Sequence, residues 1–507
     1  MRYLFFILLI SVSAQAQQKL ASDSIFIYHQ AAHELRSLTW GPTQLVAHKL
    51  EKASAIGLIY NLQDGSFREA QQAAQTRKAS FSAEGISSID RFKLYGYFSF
   101  AKTWQDSLAF SQKGIEEAYS PYYYIAGKAG NFQRQTYLGG GMISYQLLKD
   151  KLFLGTGIDY LYHTADRSVD PRSSVTTYRL KFNPTVTYKL NQHALGLGIE
   201  LGYGDESVSI HYKNDDYKGG LLYPDRISNL NFGYGTLETS QANFIRKNKY
   251  SGLNMNYAIH SKSWNFSSKI AYQISNEDNR YPRAALTDQT FGSYQVESLS
   301  AQFLFNKSIG KTLNQFQLTI RQDNGDDHLI RAAARNYTYV GSDVNFGYSN
   351  YHLTESNVGV EWMAKLAYRE NYQRDAGADH TVRYHYVRPN LGAAFYWKRP
   401  NKDLLVTAFG IGTRIPLTNE IRVPLTQVND FTQGVAYPDY LYWASKVGEA
   451  QLKLTYSTNT IFHNFRTGIS LNAAYLRRLS LPAYDFVPTS VPGKQHLDVS
   501  CSLNLYF

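Results

Sequence analysis

The sequence predicts an all-β chain, a transmembrane antiparallel up-and-down β-barrel of about 16–18 strands, with a short N-terminal segment ahead of it. Three observations predict it. Long stretches alternate apolar and polar residues, the links between them alternate short and long, and the last stretch alternates up to a terminal phenylalanine. Composition agrees: 18% of the 507 residues are charged, 15% are aromatic, and Tyr (41) outnumbers Phe (27). Soluble domains carry about 25% charge, and tyrosine suits surfaces that meet both water and apolar matter. Mean hydropathy is -0.38, and no internal apolar stretch approaches the roughly 20 residues of a membrane-crossing helix. With 36 Gly and only 14 Pro among abundant β-forming aromatics, disorder and collagen-like structure are excluded.

Residues 1–16 read as a signal peptide. Arg2 precedes the apolar run Tyr3–Ile10, and Ala14-Gln15-Ala16 supplies the small residues that signal peptidase reads. The mature chain is then expected to start at Gln17, and loss of Arg2 takes the net charge from +11 to +10. Cys501 is the only cysteine, so neither an intramolecular disulfide nor a lipidated cysteine after the signal is available. A large exported chain without disulfides points to the outer membrane of a Gram-negative bacterium. A sequence pI near 9.2 suits anionic partners such as lipopolysaccharide phosphates, with nucleic acid a remote reading.

Residues 17–54 carry one predicted helix, Asp23–Leu38, with Ser22 or Asp23 as cap and Ile25, Tyr28, Ala32 and Leu35 on one face. Two readings stand equally here: a small plug folded into the lumen, or a periplasmic tail or entry strand. The segment is far too short for the large plug domain of energised outer-membrane receptors.

Residues 55–507 read as the barrel. Between Thr177 and Leu190, Tyr178, Leu180, Phe182, Pro184, Val186, Tyr188 and Leu190 alternate with polar neighbours that include Arg179, Lys181 and Lys189. Successive side chains on a strand face opposite ways, so this is a two-faced strand. After Asn191–His193, Leu195, Leu197, Ile199, Leu201 and Tyr203 alternate with Gly196, Gly198, Glu200, Gly202 and Gly204. The two runs form a hairpin, and the glycine run is a strand with small inward residues, since a dinucleotide fingerprint needs a helix after it. Such runs exceed the five or six residues usual in globular strands and meet the roughly 9–11 of a transmembrane strand. Short links near 148–151, 191–193, 261–263, 308–311 and 399–402 alternate with long polar stretches near 102–132, 212–240, 276–290, 416–444 and 478–493. That asymmetry is expected of periplasmic turns and extracellular loops, and termini on one side require an even strand number. Eighteen strands result if weak ones near 55–61, 78–83 and 336–348 are counted.

In His496–Phe507, Leu497, Val499, Cys501, Leu503, Leu505 and Phe507 alternate with polar residues. This resembles the terminal strand of Gram-negative outer-membrane proteins, which implies that the barrel-assembly machinery reads Phe507 as an assembly signal.

Three stretches are similar to a family of uncharacterised outer-membrane β-barrel proteins, a domain of unknown function. They are Gly65-Ser66-Phe67-Arg68, then Arg91–Phe100, then Ser120–Ile125 followed by Gly130–Gln135. The resemblance implies a fold and a compartment and no activity. Physically, Gly65 and Gly96 suit close backbone approaches. Tyr122, Tyr123 and Tyr124 suit an aromatic girdle at the lipid headgroups or simple packing, with a platform for a sugar ligand as the functional alternative.

No catalytic constellation emerges, and an enzyme is the least favoured class. Asp326-Asp327-His328 reads as a solvated loop, since neighbours on an extended chain point apart. His211–Tyr217 offers oxygen ligands without the spacing of a calcium loop. There is no His-Glu-x-x-His, phosphate loop or Gly-x-Ser-x-Gly, and one cysteine excludes cysteine-based zinc sites, so no cofactor or metal is expected. Lys93, Arg179, Lys181, Lys189, Lys269 and Lys453, against Glu200 and Asp498, sit on polar strand faces and are expected to line a wet lumen, because a cation facing mid-bilayer lipid costs about 2–4 kcal/mol. The expected function is a channel or transporter for small polar or anionic solutes, with outer-membrane lipid and lipopolysaccharide as surroundings. The alternative is a structural or docking barrel in an envelope complex.

Overall fold

The computed structural model describes residues 37–48, 50–116, 119–218, 222–282, 289–354, 358–399, 403–462 and 465–507. The signal peptide and nearly all of the predicted helix Asp23–Leu38 lie outside the described residues.

Eighteen antiparallel strands close into one barrel, each paired with its chain neighbours. The ring shuts where Lys52–Gly65 pairs with Gln495–Tyr506, with Ile56 opposite Leu505 and Tyr60 opposite Cys501. The weak stretches are real strands, Lys52–Gly65, Gln75–Ile89 and Tyr337–Leu353. At one end the links are tight. Asp90, Asp150 and Asn191 take φ of 50°, 55° and 53° there, and Gly310 takes 56°, the left-handed backbone that two-residue turns demand and that Asp, Asn and Gly tolerate. Loops 109–129, 212–243 and 417–445 emerge at the other end.

The strand His193–His211 shows how sequence sets the membrane boundary. Leu195, Leu197, Ile199, Leu201 and Tyr203 face outward and are 43–60% exposed. Beyond Tyr203 the outward residues turn polar, Asp205 and Ser207, while the inward Val208 and Ile210 are buried. The amphipathic pattern therefore inverts along a single strand. Below the inversion the outside is oily and the inside polar. Above it the outside is wet and the inside is a hydrophobic core. At about 3.3 Å per residue and a tilt near 45°, the span from Leu195 to Tyr203 covers about 20 Å, close to the roughly 25 Å apolar band of a membrane barrel. Tyr160, Tyr178 and Tyr203 mark its loop-side edge, with the Tyr178 and Tyr203 hydroxyls 3.1 Å apart.

Strands run past that edge, which corrects three loop assignments. The stretch 102–132 is strand to Leu108 and again from Gly130, and Asn276–Tyr281 belongs to the strand Trp264–Tyr281. Asp326-Asp327-His328 likewise ends the strand Thr312–Leu329, because the wall continues above the bilayer around an apolar filling that the loops supply. Gly65 makes a close approach, since a Cβ there would come within 2.6 Å of the Gln495 carbonyl oxygen. Gly96 does not. A Cβ there would meet nothing nearer than 3.9 Å.

For Tyr122, Tyr123 and Tyr124 the structure decides for packing over a girdle at the lipid headgroups. They lie inside the barrel, on the short strand Tyr122–Ile125 paired with Asn229–Phe232, and Tyr122 and Tyr124 are fully buried. Burying such rings requires partners for their hydroxyls, and the structure provides them: Tyr122 donates to Asp327 at 2.8 Å, and Tyr124 donates to the Ala242 carbonyl. They pack with Val175, Val208, Ile210, Leu230, Phe232 and Phe291 into a core that fills the barrel above the membrane.

Candidate functional site

At the turn side, residues 37–48 occupy the lumen. The helix Pro42–Ala47 is buried throughout. Its exposed backbone ends and polar side chains are met by the wall: Lys269 Nζ donates to the Trp40 carbonyl at 2.7 Å, Gln44 donates to the Ser268 carbonyl at 3.0 Å, Ser144 donates to the Pro42 carbonyl at 3.2 Å, and Thr43 and Thr187 join hydroxyls at 2.9 Å. Lys93 donates to the His48 carbonyl. The wall opposite is glycine. A Cβ at Gly196 would fall 1.8 Å from Thr43 Oγ1, and one at Gly155 would fall 2.6 Å from Pro42 Cβ. The His48 ring meets His260 edge-on at 4.9 Å and Ser37 Oγ at 2.8 Å. Burial, then the neighbouring His260 and Lys93, push the His48 imidazole down to about 3, so it is neutral at physiological pH.

Above this segment lies a cavity of about 600 Å³ at membrane height, whose lining includes Glu200, Lys269, Arg321, Asp343, Arg369 and Arg388. Most of its charges are paired. Lys181 donates to Glu200 at 2.8 Å, Arg321 to Asp323 at 2.7 Å, Arg369 to Asp343 at 2.6 Å, and Arg388 Nε to Glu449 at 2.8 Å. A second cavity of about 640 Å³ lies among the loops and shares Asp343 and Arg369 with the first. Between the loops and the wall, Arg246 is buried with two acids, Glu206 at 2.6 Å and Glu277 at 3.0 Å, which anchors the Tyr122 backbone below the core.

Of the six cations singled out in the sequence, all lie on the inward face. Lys93 and Lys269 hold residues 37–48, and Lys181 pairs with Glu200. Arg179, Lys189 and Lys453 make no ion pair among the described residues. Asp498 instead accepts from Asn61 at 2.5 Å and Gln63 at 2.9 Å. Phe507 packs its ring 4.4 Å from Phe465 and exchanges backbone hydrogen bonds with Ser54. Sequence reasoning missed Arg321, Asp343, Arg369 and Arg388. The period-two rule reaches them, since Trp362 and Leu366 face out and place Arg369 inward, but these strands mix more polar residues into their outer faces.

Among the described residues, no group of three or more His, Cys, Asp or Glu side chains could hold a metal ion. In the polar stretch His211–Tyr217, the backbone of Lys213 and Asn214 donates to the Asp170 carboxylate at 3.0 Å each, which ties the loop to the barrel rim.

The model of a family of unknown function, DUF6850, matches residues 42–507. The chain belongs to that family. DUF6850 thus spans the helix Pro42–Ala47 and the whole barrel, so the lumenal segment is part of the matched unit. No curated protein matches the chain. Similar solved structures include BauA, the ferric preacinetobactin receptor of Acinetobacter baumannii, at 8% identity over 90% of this chain and 80% of that one, TM-score 0.39. The FrpB iron transporter of Neisseria meningitidis is 9% identical over 91% and 82%, TM-score 0.41. A mutant of the monoaromatic hydrocarbon channel TodX is 9% identical over 93% of each chain, TM-score 0.32. These similarities concern barrel architecture alone.

Proposed function

We propose that this DUF6850 protein is a gated outer-membrane barrel that carries small polar or anionic solutes, closed in this conformation by residues 37–48 on the turn side and narrowed by the loop core on the other, where the two cavities meet at Asp343 and Arg369. The observation that carries the reading is the membrane-height cavity of about 600 Å³ lined by Lys269, Arg321, Arg369 and Arg388. A purely structural barrel has no need of arginines around an open chamber inside the bilayer, whereas cations on a pore wall attract polar and anionic solutes. Export follows from cleavage after Ala16, insertion from recognition of Phe507 by the barrel-assembly machinery, and the apolar belt meets lipid with lipopolysaccharide outside. Planar-bilayer recording tests the transport reading. The full chain is expected to conduct weakly, and a variant lacking residues 37–48 to conduct steadily. A heat-modifiable, folded deletion variant that stays electrically silent would reject it.

A second reading, a docking barrel in an envelope complex, is favoured by one observation, the fitted closure of the turn side by residues 37–48. It predicts a silent deletion variant and a stoichiometric partner after crosslinking in cells.

A further inference from the structure

We propose that the loop-side cavity is a binding site for a short, uncharged saccharide. This goes beyond the transport reading and does not depend on conduction. Its volume of about 640 Å³ falls within the range of about 300–1,000 Å³ typical of small-ligand pockets.

The chemistry of the walls selects the ligand class. Tyr119 stacks on Tyr339 with ring centroids 4.8 Å apart, and Tyr384 stacks on Trp443 at 4.9 Å with planes 4° from parallel; all four line the cavity. Flat aromatic faces with polar rims match a sugar ring, which presents C–H faces edged by hydroxyls. Tyr119 keeps 39% of its surface exposed, so this platform is not consumed by internal packing.

Polar atoms in the same walls lack partners. Tyr234 and Tyr384 are each 8% exposed, both line the cavity, and neither hydroxyl has a hydrogen-bond partner among the described residues. Asn371 accepts from Gln373 at 3.0 Å while its own amide N–H groups are unused. These groups open into the cavity, so a ligand that brings hydroxyls can pair with them directly.

Charge argues for a neutral ligand. Burial pushes the Glu69 carboxyl up to about 7 and raises that of Asp439, and it pushes the Lys113 ammonium down to about 8. The fixed charges of its wall answer one another, Arg369 with Asp343 at 2.6 Å and Glu370 with Arg383 at 2.6 Å, which leaves no unpaired ring of one sign among the described residues to select an ion.

The test is titration calorimetry on the detergent-solubilised full chain with glucose, galactose, N-acetylglucosamine, maltose, cellobiose, lactose and diacetylchitobiose, beside glucose 6-phosphate and sialyllactose. At least one neutral sugar is expected to bind at millimolar or tighter affinity, with its charged counterpart about tenfold weaker. Tyr119→Ala and Trp443→Ala should each weaken binding about tenfold or more, and Trp443→Phe by about threefold or less. Folding is read from heat-modifiable migration, and Tyr119→Ala carries the test if Trp443→Ala does not fold. The proposal is overturned if no neutral sugar binds, if binding survives both alanine variants, or if the charged sugars bind tighter.

Discussion

Arg369 donates to the Asp343 carboxylate at 2.6 Å across adjacent strands, and the pair lines both cavities of the barrel. It therefore stands where a solute passing between the chambers meets the wall. Asp343→Ala leaves Arg369 as an unpaired cation at that junction. Because Arg369 is 41% and Asp343 27% exposed, the loss of stability should be about 1 kcal/mol or less. The effect on selectivity should be larger. In the background lacking residues 37–48, reversal potentials in a salt gradient should shift toward anions, and the shift should shrink at high salt. Unchanged reversal potentials in a conducting variant would remove this pair from the permeation path.

Acidity should tighten the loop end. The Glu69 carboxyl is pushed up to about 7, above its ordinary 4.5, by burial. A group whose folded-state pKa is raised binds more protons folded than unfolded, so stability is full below about 4.5 and falls as pH rises through about 7. Lys113, pushed down to about 8 by burial, acts in the opposite sense above that value. Protease cleavage of the loops should be slower at pH 5 than at pH 7.5, and Glu69→Gln should flatten the difference. Equal cleavage of the native protein at the two pH values would contradict it.

The barrel was legible in the sequence and its filling was not, for a physical reason. Alternation reports which face meets lipid, so Arg179, Lys181 and Leu195–Tyr203 could be oriented from pattern alone. Tyr122–Tyr124 and Asp327 could not, because their burial depends on loops returning into the barrel over long sequence separations, as in the hydrogen bond between Tyr122 and Asp327. The same strand extension that hid Asp327 in a supposed loop also concealed the inversion of pattern after Tyr203. Arg369 lay within reach of the period-two rule, but which arginines share a chamber is a tertiary fact.

Asp327 makes the loop core testable. Its carboxylate is 3% exposed and accepts from Tyr122 Oη at 2.8 Å and from the backbone N–H groups of Asn336 and Tyr337 at 2.7 and 2.6 Å. Asp327→Ala strands three buried donors, at about 1–3 kcal/mol each when nothing replaces the acceptor. Tyr122→Phe strands none of the backbone donors and should cost about 1 kcal/mol. The alanine variant should melt well below the phenylalanine variant and lose protease resistance in its loops first. Equal melting temperatures would mean that water substitutes fully for the carboxylate.

Phe507 is proposed as the assembly signal, and its ring also packs against Phe465. The two roles separate kinetically. Phe507→Ala should lower the amount of heat-modifiable protein made in cells, while protein refolded into detergent should reach the same folded fraction as the parent. Equal amounts in cells would remove the signalling role.

The closure at the turn side can be opened by a single methyl group. Gly196 sits opposite Thr43, and a Cβ there would lie 1.8 Å from Thr43 Oγ1, far inside contact distance. The strand backbone is ordinary at Gly196 and alanine fits a strand, so Gly196→Ala should leave the barrel wall intact while excluding the helix Pro42–Ala47 from its seat. Displacing the helix breaks the hydrogen bonds from Lys269, Gln44 and Ser144 together, since all of them meet residues 40–44 or the wall beneath. The variant should conduct in bilayers and sensitise cells to large antibiotics that an intact outer membrane excludes. Thr43→Gly in the same chain removes the clashing atoms and should restore closure. Rescue by the second change ties the effect to this contact, and conduction that persists in the double variant would place the gate elsewhere.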